Sequence, residues 1–413
     1  MTRVAFTAPE YQADASIRPA AYVFEGSAAD GWAVVRDGRE HLRLGPGYRL
    51  LRTSHCGVCA TDLARRHLPF PLPQVIGHEI VALDDGAAPV VVEINASCVA
   101  RGIVPCPTCA AGLPTHCPER RVLGIHDLPG GFGPWILAPV HAVLPVPAGL
   151  PPLAATLVEP FAAAWHAVGV IAPRAGERVL VLGPGRLGSL ALAALAAWRA
   201  RTGVAIEILA AGRTPASRER ARRLGADAVV APDDAPPADV VVEATGSPEG
   251  ATRGLALARR ELHLKSTTGQ PALGLANPTA LVVDELAIGR LAGVPAPGAV
   301  VARTLAEIDA AIRPVAGVER SRPGPRGTIL VADAAAPRGA LLEAVLGRDL
   351  RITTSRCGDF RPALEVLAAD RLGERLAAEL VRHVLPAAGL ADAFGRAAAG
   401  GGKIVVAQPD ALV

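Results

Sequence analysis

Two sets of residues could hold a metal, judged by type and spacing. Cys98, Cys106, Cys109 and Cys117 are separated by gaps of seven, two and seven residues. Four thiolates this close in the chain can close a tetrahedral zinc site, and a structural zinc is expected here. The seven-residue first gap leaves two alternatives open: a looser three-cysteine set, or buried cysteines without metal. The second set is dispersed. It comprises Cys59 in Cys59-Ala60-Thr61-Asp62, His78 in Gly77-His78-Glu79, and Glu159 before Pro160. Thiolate, imidazole and carboxylate make three ligands and leave one coordination position for a substrate. Cys56, three residues before Cys59, competes as a ligand. Glu79 is expected behind the ligands, or in exchange with Glu159. Against this stands the plainer reading of Cys59 as a buried thiol and His78 as a structural imidazole.

A third constellation is made of glycine. Gly183-Pro184-Gly185-Arg186-Leu187-Gly188 follows an expected strand and opens an expected helix. In that context the first glycine permits a tight turn, the second lets a pyrophosphate approach the backbone, and the third lets helix and strand pack. The helix N-terminus then offers free N–H groups to phosphate. The plainer reading is a glycine turn without a ligand. Nineteen residues after Gly188 comes Glu207, near the spacing of an acid that binds a ribose. It falls inside a strand, however, and the strand's tip reads Gly212-Arg213-Thr214. Arg213 is placed to accept a 2′-phosphate, with Ser217 and Arg218 nearby. NADP is therefore favoured over NAD, unless Arg213 is only a solvated charge.

The elements that must position these residues fall into two parts. Up to about residue 150 the chain reads as β-rich. Short apolar runs (Tyr48–Leu51, Ile80–Leu83, Val90–Ile94) are separated by Gly, Pro and Asp. Pro147, Pro151 and Pro152 mark a joint, and a helix through Phe161, Trp165 and Val168 follows. From Arg178 the rhythm alternates between strands (Arg178–Leu182, Ala205–Ala210, Ala228–Val230, Val240–Ala244, Leu262–Ser266) and helices (Ser189–Arg199, Ser217–Leu224). That alternation predicts a doubly wound α/β domain with a parallel sheet. Ala231–Ala238, Val294–Val300 and Ser321–Gly327 read as surface loops. Phe161 and Trp135 are candidates for a pocket wall, though each is more often core.

Composition narrows the function classes. The chain has 413 residues, half of them apolar, enough for two domains and a large core. A net charge of +3 argues against a general polyanion binder, and 3% aromatic residues argue against base stacking, so no nucleic-acid partner is expected. The longest apolar run, Leu190 to Trp198, is less than half of a membrane span, and the first twenty residues hold no signal-like apolar stretch. A cytoplasmic protein without a membrane partner is expected. Six of seven cysteines lie between Cys56 and Cys117, which favours metal over disulfides.

Taken in order, GVCATDL (Gly57–Leu63), VIGHE (Val75–Glu79), VVVEINASC (Val90–Cys98), PCPTCAAGLPTHC (Pro105–Cys117), VEP (Val158–Pro160), GPGRLG (Gly183–Gly188), VVVEATGSPEG (Val240–Gly250) and TSRCGDF (Thr354–Phe360) resemble the zinc-dependent medium-chain dehydrogenase/reductase family, which includes alcohol, sorbitol and threonine dehydrogenases. The resemblance spans most of the chain. It implies a β-rich GroES-like catalytic domain over 1–155, carrying a structural zinc lobe and rejoined by 356–413. It further implies a Rossmann cofactor domain over 156–355.

The resemblance selects Cys59 over Cys56 as the catalytic zinc ligand, completed by His78 and Glu159, and makes Thr61 the group that takes the alcohol proton. It assigns Cys98, Cys106, Cys109 and Cys117 to the structural zinc. Cofactor contacts are expected from Gly183, Gly185, Leu187, Gly188, Arg213, Thr245 and Ser266. The implied activity is NAD(P)-linked interconversion of an alcohol, of polyol or amino-alcohol class, and its carbonyl. The implied assembly is a homodimer or homotetramer.

Three departures from the family pattern stand out. VARGIVP (Val99–Pro105) lengthens the first gap of the cysteine lobe. Ala64 replaces the histidine that ends the proton relay in many members, with His67 a possible stand-in. Residues 286–350, which read as Pro/Gly loops with helical patterns at Leu305–Ile312 and Ala340–Leu346 and a short strand at Thr328–Val331, interrupt a normally short junction; a subunit interface ranks first among their roles, before a cover for the cleft or a tolerated excursion. Ala64 and this insert also permit a second reading, a non-catalytic member that binds nucleotide and a protein partner. Cys357 is expected as a buried thiol in the last strand of the sheet.

Overall fold

The computed structural model describes residues 1–68, 70–267, 269–312, 323–332, 339–400 and 402–409. The chain divides into two units, Met1–Pro160 with Asp359–Val413, and Phe161–Gly358.

The first unit opens with a four-stranded antiparallel meander, Thr2–Tyr11, Ile17–Ser27, Gly31–Arg36 and Arg39–Leu44. Its apolar face packs Phe6 edge-on against Phe24, with ring centroids 4.9 Å apart. A second sheet runs Val143–Pro145, Pro89–Val92, Glu79–Leu83, Tyr48–Gly57, Lys403–Ala407, Val381–Pro386. Strand Tyr48–Gly57 is the axis of this unit, and it changes neighbour along its length. Residues 48–52 pair with Trp135–Pro139, whereas residues 55–57 pair with Lys403–Ala407. On its other edge the register against Glu79–Leu83 shifts between Thr53 and His55. Strand Lys403–Ala407 is wholly buried, so the chain's last strand completes the core begun by its first part.

In the second unit, nine strands among the described residues form one sheet. Six are parallel, in the order Ala228–Val230, Glu207–Ala211, Arg178–Leu182, Ala238–Glu243, Ala258–Leu264, Arg351–Thr354. The chain order reverses at Arg178–Leu182, which defines the crevice where open α/β sheets bind ligands. The central strands read as continuous apolar runs because helices cover both faces of such a sheet. Val179, Leu180 and Val181 are fully buried.

The described strands within residues 286–350 prolong this sheet. Ala287–Arg290 pairs antiparallel with Arg351–Thr354 through Ile288 and Ile352, and Thr328–Val331 and Val300–Ala302 follow. The insert's expected helix Leu305–Ile312 and strand Thr328–Val331 form as read, and its second helix runs Ala340–Arg348. A free sheet edge exposes unpaired N–H and C=O groups; here three strands of the same chain cover the edge of Arg351–Thr354.

Several expectations need correction. Glu207 is the first residue of its strand, not an interior one, and bonds Arg178 Nε at 2.7 Å. Both residues open parallel strands, so Glu207 sits at the opposite end of the sheet from the glycine loop. Cys357 lies beyond the last parallel strand, which ends at Thr354, and is half-buried rather than buried. Ser266 follows its strand, which ends at Leu264. The expected loop Ala231–Ala238 contains a 3₁₀ turn at Pro232–Asp234, and Val294–Val300 runs into a strand at Val300. Part of Ser321–Gly327 lies outside the described residues. Among the described residues, no helix is long and apolar enough to cross a membrane.

Candidate metal and cofactor sites

The cysteine lobe closes despite its long first gap. Ser97 caps helix Cys98–Arg101 by accepting from Ala100 N, and left-handed Gly102 ends it. The chain then bulges through Ile103–Pro105, leaving Val104 88% exposed, and returns into Pro107–Ala110. Cys98 and Cys117 sulfurs stand 3.6 Å apart, and Cys106 and Cys117 3.7 Å. All four sulfurs lie within 4.8 Å of one another. Four sulfurs at about 2.3 Å from one zinc are separated by distances of this size, so the donor set fits the ion. All four cysteines are free thiols. A hydrogen bond from the Cys109 backbone N–H pulls the Cys106 thiol down to about 7, whereas burial pushes Cys117 up to about 12. The cluster is therefore not four thiolates by itself; a cation would stabilise the deprotonated set.

The second set starts from a single helical turn that carries Cys59. Cys59 is the N-cap of Ala60–Leu63, and Asp62 Oδ2 accepts from the Cys59 backbone N at 2.8 Å. The other Asp62 oxygen lies 3.2 Å from His78 Nδ1. Both side chains are almost fully buried. Burial opposes charge on the His78 ring. The Asp62 carboxylate and the Cys59 thiolate beside it outweigh burial and hold the imidazole well above its usual value. Nδ1 is the ring nitrogen next to Asp62, and a carboxylate beside one imidazole nitrogen is the arrangement that leaves the other free to ligate a metal. Thr61 Oγ1 lies 3.7 Å from Cys59 Sγ.

Buried Arg65 ties this turn to the chain ahead of His78, donating to Phe70 O at 3.1 Å, Pro71 O at 2.8 Å and Gln74 Oε1 at 2.7 Å. Neither Asp62 nor Arg65 belongs to the ligand set read from the sequence. The C-x-x-D spacing carried the signal for Asp62; nothing local carried one for Arg65.

Other residues of this set are placed as follows. Glu159 opens helix Val158–Ile171. Among the described residues, only the cysteine lobe gathers three or more Cys, His, Asp or Glu side chains with ligating atoms all within 4.8 Å; Cys59, His78 and Glu159 form no such group. Glu79 is 1% exposed and ion-paired with buried Lys403. Cys56 is wholly buried, and burial raises its thiol well above the usual value, so it behaves as a small hydrophobe. His67 is exposed and receives Arg66 Nε at 3.1 Å.

Removing the Asp62 charge tests this arrangement. Asp62→Asn keeps an oxygen for the Cys59 cap but removes the negative charge 3.2 Å from His78 Nδ1. A loss of roughly 10–100-fold in metal affinity or turnover is expected, read by zinc titration.

At the reversal point of the second unit, strand Arg178–Leu182 turns at Gly183 and enters helix Arg186–Thr202, with Gly185 as N-cap. Gly183 has φ +80°, and a Cβ there would fall 2.8–3.0 Å from Thr245. A Cβ on Gly188 would sit 2.2 Å from Gly183 O. Gly188→Ala must therefore displace the turn. At least a tenfold loss of dinucleotide affinity is expected, measured by quenching of protein fluorescence.

Arg220 braces the same loop through Pro184 O at 2.7 Å and Ser189 Oγ at 3.2 Å. Arg213 is exposed at the tip of the next strand, beside Thr214, the N-cap of Pro215–Arg223. No carboxylate lies between Ile208 and Ala216. Leu187 is half-buried in the first helical turn.

Thr245 and Ser266 follow neighbouring strands, and both donate their hydroxyls to Glu243, Ser266 at 2.7 Å. Glu243 is 1% exposed and ends its strand. It orders this rim of the crevice and was not among the residues read from the sequence. Of the two wall candidates, Phe161 is core, whereas Trp135 is half-buried.

Fold and site together describe a β-rich unit with a cysteine lobe, and a dinucleotide-type α/β unit. Residues 45–148 match the alcohol dehydrogenase GroES-like domain. L-galactonate-5-dehydrogenase of Escherichia coli K12 is 34% identical over 42% of this chain and 52% of its own length. L-threonine 3-dehydrogenase of Pyrococcus abyssi is 29% identical over 51% of this chain and 65% of its own. The chain thus spans about half to two thirds of the length of these curated relatives. The solved L-idonate 5-dehydrogenase of Escherichia coli K-12 has the same fold, with a TM-score of 0.63 over 98% of this chain and 99% of that one at 17% identity. These matches bear out the resemblance to the zinc-dependent medium-chain dehydrogenases.

Proposed function

We propose that the protein is a zinc-dependent, NAD(P)-linked oxidoreductase that interconverts a small alcohol and its carbonyl. The observation carrying this reading is the Cys59–Asp62–His78 turn, a thiol and a carboxylate-oriented imidazole in the same unit as a ready-made four-sulfur zinc lobe. Cys59, His78 and Glu159 would hold the catalytic ion. When bound, zinc supplies Lewis-acid polarisation of the alcohol oxygen and the nicotinamide accepts the hydride. Asp62 fixes the His78 ring in the tautomer that presents Nε2. The Thr61 hydroxyl takes the alcohol proton and passes it towards solvent. Gly183, Gly185 and Gly188 leave the backbone bare for the pyrophosphate, and the N-terminus of Arg186–Thr202 faces its charge.

The substrate is of polyol, sugar-acid or amino-alcohol type, supported by the names of the galactonate and threonine dehydrogenases to which the chain is similar. The second unit favours NADP, since its strand tip carries Arg213 and no acid. A charge-assisted hydrogen bond to phosphate contributes about 1.5–3 kcal/mol. Arg213→Ala should therefore raise KM for NADP roughly 10–100-fold and leave KM for NAD nearly unchanged. The direct test of the activity is a screen of alcohols, polyols, sugar acids and threonine with each cofactor, following reduced nicotinamide by absorbance. Zinc-loaded protein that reduces neither cofactor with any of them sinks the reading.

A further inference from the structure

A buried polar seam joins two neighbouring strands of the second unit. Glu261, His263 and Lys265 alternate along Ala258–Leu264 and the residue after it, so they share one face of the sheet. Thr353 and Ser355 share a face in the same way on Arg351–Thr354 and the residue after it. The two strands pair in parallel, with His263 opposite Thr353. Glu261, His263 and Ser355 are 0% exposed. The proposed reaction uses none of the five.

Their hydrogen bonds form one chain with a fixed direction. Thr353 donates its hydroxyl to Glu261 Oε1, and Arg260 Nη1, 2.8 Å from the other oxygen, keeps Glu261 an acceptor. Thr353 Oγ1 is left with lone pairs, so His263 Nδ1, 2.8 Å away, holds a proton. At the other end Lys265 Nζ donates to Ser355 Oγ at 3.2 Å. Ser355 passes its own proton to His263 Nε2 at 2.9 Å, which requires that nitrogen to be bare. With the ring neutral, both of its nitrogens are paired, the condition under which a buried polar network stabilises a core.

Protonation breaks this order. Nε2 becomes a second donor facing Ser355 Oγ, beside Lys265, and the Ser355 proton has to turn away inside the core. The charged groups around the ring are Lys265 on its own strand, His166 on helix Val158–Ile171, and Glu285 at the end of helix Pro278–Asp284. Glu261 lies beyond Thr353, with Arg260 and Arg351 near it. Burial first, then Lys265 and His166, hold the His263 pKa well below its usual value, while Glu285 pulls the other way.

We propose that His263 is an acid-sensitive pin: neutral, it fastens Arg351–Thr354 to Ala258–Leu264, and protonated, it loosens that strand pair. The loosened end carries Ser266, which holds the crevice rim through Glu243. An unfolded imidazole takes up a proton near pH ~6.5, and the folded ring resists it. The pin's stabilisation is full above about pH 6.5 and is lost as pH falls from there towards the folded pKa, by up to about tenfold in the folding equilibrium per pH unit.

Hydrogen exchange of the zinc-loaded full-length protein, read by mass spectrometry on peptides spanning residues 351–356 and corrected for the intrinsic rate, tests the proposal. Between about pH 7.5 and about pH 5.5, protection in the parent should fall roughly tenfold. In His263→Gln it should barely change, because the amide donates to Thr353 and accepts from Ser355 at either pH. The imidazole nitrogen spectrum gives a second readout. One ring of the parent, missing from His263→Gln, should keep its single proton on Nδ1 down to about pH 5.5. Ser355→Ala should shift the Nε2 resonance of that ring, and so identifies it if His263→Gln does not fold. A His263 ring that titrates near pH ~6.5 overturns the proposal, as does an equal loss of protection in the parent and in His263→Gln.

Discussion

Cys59→Ser is expected to lower turnover by at least about a thousandfold while leaving the cysteine lobe filled. A Lewis-acid metal contributes several kcal/mol of stabilisation as charge develops, and each ~1.4 kcal/mol is a tenfold change in rate. Serine at this position keeps the N-cap geometry, because the Cys59 backbone N still reaches Asp62 Oδ2. It replaces a soft thiolate by a hydroxyl that does not ionise near neutral pH. Zinc content should fall by about one ion per chain, and His78→Ala should behave alike. The measurement is zinc by elemental analysis alongside turnover of the best alcohol found. Full zinc and full turnover in either variant would remove Cys59 and His78 from the chemistry. The fold itself is not at stake, since Cys59 is only half-buried and the turn is capped by Asp62.

The second large effect concerns the lobe. Cys117 is fully buried and is the sulfur that lies near both Cys98 and Cys106. Structural zinc binding in small peptides contributes about 10–16 kcal/mol that is inseparable from folding. If Cys117→Ser forfeits even about a quarter of that, ~3 kcal/mol, the melting temperature falls by roughly 6–12 °C. A strong chelator should destabilise the parent by a similar amount and the variant hardly at all. Apolar packing in the lobe is slight: among the described residues, Ile103 and the half-buried Cys106 are the partly buried hydrophobics against the buried Cys98, Cys109 and Cys117. Melting curves with and without chelator give the answer, and identical curves for parent and variant would show that the four thiols need no ion.

The chain by itself determined its local elements and its short-range chemistry. Strand Arg178–Leu182 and helix Leu305–Ile312 could be read because each is an apolar run or stripe bounded by residues that break it. The cysteine lobe could be read because its ligands are near neighbours, so closing the loop costs little entropy. The glycine loop could be read because strand, turn and helix are consecutive.

Tertiary structure decided whatever depended on residues far apart in the chain. Asp62 meets His78 only because strand Tyr48–Gly57 pairs with Glu79–Leu83. Glu79 finds Lys403 only because the last strand of the chain returns to that sheet. Lys265 is 5% exposed and donates to Ser355 O at 2.9 Å and Ala163 O at 3.0 Å. A buried ammonium is tolerable only with such acceptors around it, and they are supplied by segments 90 and 102 residues away. The course of residues 286–350 was hidden for the same reason. One of their strands, Thr328–Val331, is legible by itself, but the sheet edge it extends is fixed by hydrogen bonds between backbones, and backbone hydrogen bonding leaves no signature in side-chain order.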